Sequence, residues 1–318
     1  MARSPLNVII LNYGTPDLAI ASAQSVLPEI EAIGGRLILV DNASPDNSAD
    51  LLSAWASQQP AAPVEIILSP VNGGFAAGNN LGIKAGEADF YLLLNSDTLP
   101  GPGALTALLN AMKERPKLGL AGPQILDEDG APAVSRFRKR TPFSEFVEAT
   151  GLDFFYRRYR EHVVPIFEGE ADAPDWISFA CVMIRKEVID EIGLLDENYF
   201  MYFEDSAYGL KAAANGWRAA RIEEASVKHF EAKSSGVEDA AAAHKPLPRY
   251  YYAARSRYFI DHYGRAGLIA ANLFWLLGRA VNYARALTLK APKKTARGRA
   301  LDIWTSPDFT PPDITKKP

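Results

Sequence analysis

Four short apolar runs punctuate the first half of the chain, at residues 6–11, 36–40, 64–68 and 90–94. Each is rich in β-branched or aliphatic side chains and lacks the strict in/out alternation of a strand with one wet face. Runs of this kind fit strands buried on both faces of a parallel sheet. Between them, the apolar spacing predicts helices over residues 17–33, 48–58, 76–85 and 103–115. Pro16-Asp17, Asp46 and Pro102 supply entry residues for three of these. Pro28 is expected to break or kink the first helix, and Gly34-Gly35 to end it. Strand–helix alternation of this sort predicts a three-layer α/β/α domain, Rossmann-like in its first half.

The second half is more mixed. Residues 118–125 and 176–184 read as strands, 186–192 and 205–215 as helices, and 218–222 and 225–230 as short closing strands. Asn215-Gly216 marks the end of the second helix. Residues 138–175 are aromatic and charged without a clear period, so irregular, mobile, substrate-facing structure is expected there. Residues 303–318 hold four prolines and are expected to form an extended tail.

Composition narrows the class. The chain has 318 residues, 48% apolar and 23% charged, which is enough to bury a real core and excludes wholesale disorder. Its one cysteine, Cys181, has no partner for an internal disulfide and points to a reducing compartment. The N-terminal apolar run is too short for a signal-peptide core, and no uncharged stretch has the length of a membrane span. The net charge of −4 conceals an asymmetry: residues 245–318 carry 14 Lys/Arg against 4 Asp, and the rest of the chain is acidic. A basic tail on an acidic body meets either an external anion or the body itself.

Ligands of open α/β sheets bind beyond the carboxyl ends of the strands. The residues that follow the four strands are Asn12-Tyr13-Gly14-Thr15, Asp41-Asn42-Ala43-Ser44, Asn72 to Asn80, and Asn95-Ser96-Asp97. One such loop is explained by turn and cap chemistry alone; four on one rim suggest a ligand site. Gly73 to Gly78 has phosphate-loop spacing, but Asn79-Asn80 stands where Lys-Ser/Thr is needed, and no dinucleotide fingerprint follows the first strand. What remains is a tight turn into a helix whose N–H groups can face an anion or ribose. Asp97, at the end of a buried strand, is either a helix cap or a ligand for a hard divalent ion on a diphosphate. His229 is either a buried histidine bonded to backbone or a ligand. Glu204-Asp205, after the aromatic run Tyr199 to Phe203, is either a pair of helix-start acids or a general base.

Together these motifs resemble the family 2 glycosyltransferases of GT-A fold, in particular their bacterial rhamnosyltransferase-like branch. The matching stretches are Val40 to Ser48, Asn72 to Gly82, Leu94 to Asp97, Asp175 to Ser178, Ile184 to Lys186, Gly193 to Glu197, Tyr202 to Asp205, His229, and Tyr251 to Arg257, in order over residues 6–260. The resemblance implies inverting transfer of a sugar, dTDP-rhamnose being the leading donor, to a hydroxyl of a cell-surface glycan or lipid-linked acceptor. It implies that Asp41 contacts the base or ribose, with Thr15 against the base. Asn42, Gly74, Phe75, Asn79, Asn95, Ser96 and Trp176 are implied to complete the donor site. Asp97 and His229 are implied to hold Mg2+ or Mn2+, and Asp205, with Glu204 as second choice, to be the base. Three positions depart from the family pattern: Ala207 replaces a second acid, Phe179 a glycine and Ser256 an asparagine. Ala207 keeps a non-catalytic nucleotide-sugar-binding scaffold in view as the competing class.

Residues 266–278 are uncharged, with Arg265, Asn272, Arg279 and Asn282 on one side at helical pitch. Arg285, Lys290, Lys293, Lys294, Arg297 and Arg299 follow with no acid among them. The pattern suits a helix on an anionic bilayer, at the cytoplasmic face of the plasma membrane, or a helix packed on the body or in an oligomer. No aromatic-interleaved or groove-reading motif accompanies the basic run, which argues against nucleic acid. The expected organisation is a catalytic domain over residues 1–262 (nucleotide-binding half 1–125, acceptor half 126–262). A basic helical extension over 263–302 and the tail follow.

Overall fold

The computed structural model describes residues 3–170, 173–230, 247–289 and 300–309. Eight strands form the main sheet: β1 (Ser4–Asn12), β2 (Arg36–Asp41), β3 (Val64–Leu68), β4 (Ala88–Asn95), β5 (Thr98–Pro100), β6 (Leu118–Leu126), β10 (Cys181–Arg185) and β11 (Arg218–His229). Their order is β3-β2-β1-β4-β10-β6-β11-β5. β1 to β4 run parallel, β10 is antiparallel to both its neighbours, β11 is parallel to β6, and β5 closes the edge antiparallel to β11. A second, three-stranded sheet joins β7 (Arg136–Phe137) to β8 (Pro165–Ile166) and β9 (Trp176–Ile177).

The unbroken apolar runs have a direct explanation in the layers. On one face Leu6, Val8, Ile10, Leu37, Leu39 and Leu92 pack under α1 (Pro16–Ile33), α2 (Ser48–Ser57) and α4 (Ala104–Glu114). On the other, Ile9, Ile38, Val40, Tyr91 and Leu93 pack under α3 (Gly74–Lys84), α7 (Lys186–Ile192) and α8 (Glu204–Ala214). Alternate side chains of β1, β2 and β4 thus enter two different cores, so most positions there are apolar. β3 departs from the expectation of burial on both faces: as the edge strand it is only partly covered, Glu65 pairs with Arg36 and Leu68 is exposed.

Several expectations need correction. Pro28 does not end the first helix, which runs on to Gly34 in the left-handed conformation. Val26 and Ile30, fully buried on either side of the proline, hold the two halves in register. Residues 176–184 are not one strand: Ser178-Phe179-Ala180 turns the chain out of the small sheet and into the main one. Residues 218–229 form a single strand with a register shift between Ile222 and Ser226. The stretch 138–175 is not irregular, although residues 171–172 lie outside the described ones. It builds α5 (Pro142–Thr150), α6 (Asp153–Arg158), a short 3-10 helix and β8. Its aromatic residues showed no local period because their partner is distant in sequence: Phe143 packs edge-on against Phe274 at 5.5 Å.

Phe274 belongs to α9 (Arg249–Leu289), a helical segment broken at Gly264 (φ 68°). It is clamped to α5 by polar contacts within the protein. Arg255 donates Nε and Nη2 to Oε2 of Glu145 at 3.1 and 2.8 Å, and Nη1 to Asn272. Asn282 donates to the carbonyl of Thr150 at 2.7 Å. Gly278 allows the close approach, since a Cβ there would lie 2.6 Å from the carbonyl oxygen of Phe146. The expected tail begins with a 3-10 turn (Asp302–Trp304) whose Ile303 is buried and whose backbone accepts a hydrogen bond from Asn272. The rest of that tail, 310–318, and the basic positions Lys290, Lys293, Lys294, Arg297 and Arg299 lie outside the described residues.

Candidate active site

The chain order reverses direction across the sheet between β1 and β4, and a crevice opens at the carboxyl ends of the strands there. A cavity of about 290 Å³ occupies it. Of the residues singled out from sequence, Asn42, Gly74, Phe75, Asn95, Ser96, Asp97, Glu204, Asp205 and His229 line this cavity. They come from five separate segments of the chain.

On one wall stands Asp97, 4% exposed, with Oδ1 3.2 Å from Nε2 of His229. The antiparallel pairing of β5 with β11 makes this pair, because His229 is in register with Thr98 and the N–H of Phe230 donates to the carbonyl of Asp97. One carboxylate oxygen and one imidazole nitrogen at this spacing match adjacent ligands of a divalent ion. Two ligands each about 2.1 Å from a metal, at right angles, lie about 3 Å apart. Among the described residues no group of three or more His, Cys, Asp or Glu is placed to hold a metal unaided. The pair therefore fits an ion whose remaining positions are filled by phosphate oxygens or water.

The glycine loop lines the same cavity. Asn42 holds it from β2: its amide donates to Oδ1 of Asn72 at 2.9 Å and to the carbonyl of Gly74 at 3.1 Å. Gly74 has φ of +82°, and a Cβ at this position would stand 2.0 Å from the carbonyl oxygen of Phe200. That oxygen accepts the N–H of Phe75 at 2.7 Å, which ties the loop to the aromatic segment before Glu204. The helix begins at Gly74, two residues earlier than its apolar pattern suggests.

Tyr202 and Phe203 both adopt positive φ, 73° and 68°, in the two residues before α8. Such strain in bulky residues persists only where the surroundings impose it, commonly at functional sites. Here it turns the first two residues of α8 into the cavity. Phe203 is packed among Tyr258, Tyr251 and Tyr199, so the strained turn rests on α9. Burial lifts the Glu204 carboxyl well above its ordinary range, and the neighbouring Asp205 adds to the effect. Burial also raises Asp205, to about 7. Oε2 of Glu204 is buried without a hydrogen-bond partner, whereas Oδ1 of Asp205 accepts the N–H of Ser206 at 2.7 Å. The stronger upward push falls on Glu204, so Asp205 is the first of the pair to ionise.

Four expected residues are placed elsewhere. Asp41 is buried behind the rim, with Oδ1 accepting from Asn12 and from the Ser44 hydroxyl, and Oδ2 from the Ser44 N–H. Thr15 bridges Asn12 and Ser96. A hydrogen-bonded line from Ser44 through Asp41, Asn12 and Thr15 to Ser96 therefore crosses the tips of β2, β1 and β4. Asn79 sits one turn down α3 and donates to the carbonyl of Phe75. Trp176 stacks on Phe137 at 4.1 Å and lies under Gly209, where a Cβ would be 2.5 Å away. Tyr13 and Asn72, from the rim loops, also line the cavity, and so do Phe200, Met201, Tyr202 and Tyr250, which were given no role in the site from sequence. Tyr202 and Tyr250 stack in parallel, 6.4 Å apart, across 48 positions of sequence. Only the aromatic run before Glu204 hinted at this wall.

Comparison with known proteins agrees with this geometry. The chain is 27% identical over 288 residues to N-acetylglucosaminyl-diphospho-decaprenol L-rhamnosyltransferase of Mycobacterium tuberculosis, a match covering 84% of this chain and 87% of that protein. It is 25% identical over 211 residues to the low-salt glycan biosynthesis hexosyltransferase Agl10 of Haloferax volcanii, covering 65% and 61%. In fold it is similar to the mannosyltransferase PcManGT of Pyrobaculum calidifontis, solved with GDP-Man and Mn2+. The TM-score there is 0.56, with 15% identity, over 92% of this chain and 78% of that one. It is also similar in fold to GalNAc-T7, solved with UDP, GalNAc and Mn2+, with TM-score 0.58 and 14% identity over 91% and 53%. The model of glycosyl transferase family 2 matches residues 8–193, more than half of the chain. With a GT-A-type nucleotide-sugar transferase fold and an acid-lined cavity at its switch point, the protein is a glycosyltransferase and belongs to glycosyl transferase family 2.

Proposed function

We propose that the protein transfers a sugar, with inversion, from a nucleoside-diphosphate donor to a hydroxyl of a glycan or lipid-linked acceptor at the inner face of the plasma membrane. dTDP-L-rhamnose is the leading donor, supported by the likeness to the mycobacterial rhamnosyltransferase. The observation that carries the reading is the meeting of two unlike pairs in one cavity: Asp97 with His229, and Glu204 with Asp205, all line it.

In this reading Asp97 and His229 hold Mg2+ or Mn2+, which offsets the charge that develops on the departing diphosphate. Asn95 and Ser96 present polar groups beside it, and the N–H groups at the start of α3 face the donor with Gly74 leaving the approach open. Asn42 keeps that loop in place. Asp41 and Thr15 act from behind, holding Asn12 and Ser96 in one orientation at the rim. Asp205 removes the acceptor proton as its oxygen attacks the anomeric carbon, while Glu204 remains protonated beside it. A base of this kind contributes about 10²–10⁴ in rate. The paired rings of Tyr202 and Tyr250 offer a flat apolar surface for the acceptor sugar. Ala207 removes one acid from this neighbourhood and leaves Asp205 as the group poised to ionise.

A panel of nucleotide sugars, titrated with and without Mn2+, tests the reading through thermal stabilisation. The expected result is metal-dependent stabilisation by one nucleoside-diphosphate sugar, abolished in Asp97→Asn. Equal stabilisation of wild type and variant, or equal stabilisation after chelation, refutes the metal-held diphosphate.

A further inference from the structure

The second half of α9 is turned inside out relative to an ordinary surface helix. Between Ala266 and Ala284 its polar side chains are Asn272, Arg279, Asn282 and Tyr283. The first three are buried against the protein, at 0%, 9% and 5% exposure. The outward positions are apolar: Ile269, Leu273 and Leu277, spaced four apart, are 49%, 57% and 53% exposed. Ala266, Ala280 and Ala284 share that exposure, and Tyr283 ends the stripe. The stripe from Ile269 to Tyr283 is about 21 Å long. Leu301 and Trp304, where the chain returns to α9, are also exposed. A helix that buries amides and a guanidinium while presenting leucines to the outside has its apolar side aimed at a partner.

Charge identifies that partner. No acidic residue occurs between Arg265 and Leu301, whereas seven basic residues do, of which Arg279 is turned inward. A second copy of the chain carries the same basic stretch and supplies no acidic complement to it there, so like-charge repulsion disfavours it as the partner. An anionic lipid surface complements both features, because leucines enter the acyl boundary as lysines and arginines meet the headgroups. No described helix is long and apolar enough to cross a membrane, so this is a surface contact and not a span. The first turn of α9 carries Tyr250, which lines the active-site cavity, and the straight part from Tyr250 to Gly264 spans about 21 Å. Two helical stretches joined at Gly264 thus link the reaction site to the apolar stripe.

We infer that the Ile269–Leu273–Leu277 face of α9 docks the enzyme on anionic bilayers and presents the cavity to a lipid-borne acceptor. This deepens the proposed reading of a lipid-linked acceptor, but the docking face is testable without it. The full chain and the double variant Leu273→Glu/Leu277→Glu are compared in co-sedimentation with phosphatidylglycerol-containing and pure phosphatidylcholine vesicles. Both side chains are more than half exposed, so the variant is expected to keep its melting temperature and its stabilisation by nucleotide sugar. Wild type is expected to bind the anionic vesicles, more weakly as salt rises. The variant is expected to lose at least about tenfold in partitioning, the equivalent of one leucine withdrawn from an apolar phase. Equal vesicle binding by the two proteins overturns the inference. So does a wild type that ignores vesicles but forms a dimer broken by the variant, which would make the stripe a contact between copies. Vesicle binding that persists when no nucleotide sugar stabilises the protein would refute the proposed metal-held donor and leave the docking face standing.

Discussion

Replacing Asp205 by Asn is expected to make the protein more stable and much less active, with a pH dependence that links the two effects. Burial raises the folded-state pKa of Asp205 from 3.8 to about 7. In the unfolded chain the carboxyl ionises near its ordinary value of about 3.9. Between those values the folded state holds more protons than the unfolded one, so stability falls as pH rises through the window and the penalty is complete above about pH 7. A shift of about 3 pH units corresponds to about 4 kcal/mol. Asp205 keeps partial solvent contact, so about 2 kcal/mol is the expected net value after screening. Asparagine keeps the oxygen that accepts the Ser206 N–H and carries no charge to desolvate. The variant should therefore show a higher urea midpoint than wild type at about pH 8, with the difference shrinking to nothing near about pH 4. Its kcat/KM should fall by about 10²–10⁴, and the wild-type value should rise about tenfold per pH unit up to about pH 7 and then level off. An Asn variant no more stable than wild type at the higher pH would show that the carboxylate is well solvated. Activity retained within about tenfold would assign the base to another group.

Gly74→Ala should lose at least about tenfold in donor affinity, because left-handed backbone costs about 1–2 kcal/mol and the new Cβ strikes the carbonyl of Phe200. Gly103→Ala is its control: the backbone angle is the same, 82°, but nothing lies within 4 Å, so donor affinity should not change. Glu145→Ala should destabilise the protein by about 3–5 kcal/mol in urea, because Arg255, 4% exposed, would be left charged without its carboxylate. Glu148→Ala should cost clearly less, since Glu148 is more exposed and pairs with Arg140, which retains Glu145.

Much of the site was legible before any coordinates, and for a physical reason. Turn residues after buried strands are local signals, and a parallel sheet carries all such loops to one edge. Asn42, Gly74, Asn95, Ser96 and Asp97 were found in that way, and the structure brings them to one cavity. Position behind or before the rim was not legible. Asp41 and Thr15 have the residue types of ligand contacts, yet they are drawn into a hydrogen-bonded line with Asn12, Ser44 and Ser96. That line depends on the register of three neighbouring strands. Trp176 was implied to complete the donor site, but it stacks on Phe137 and packs against Gly209, outside the cavity lining.

The chain's local chemistry was enough for the strand runs, the helix boundaries near Gly34 and Gly216, the acid pair and the rim loops. Each of these depends on neighbours a few residues away. Packing settled what depends on distant neighbours. It carried the first helix through Pro28, divided residues 176–185 between two sheets, and built α5 against Phe274. It also turned Asn272, Arg279 and Asn282 inward. A helical wheel displays two faces but cannot say which one the rest of the molecule covers. Here Arg255 and the backbone of Ile303 pair with Asn272, and the carbonyl of Thr150 with Asn282, on the protein side, and the leucines are left to face outward.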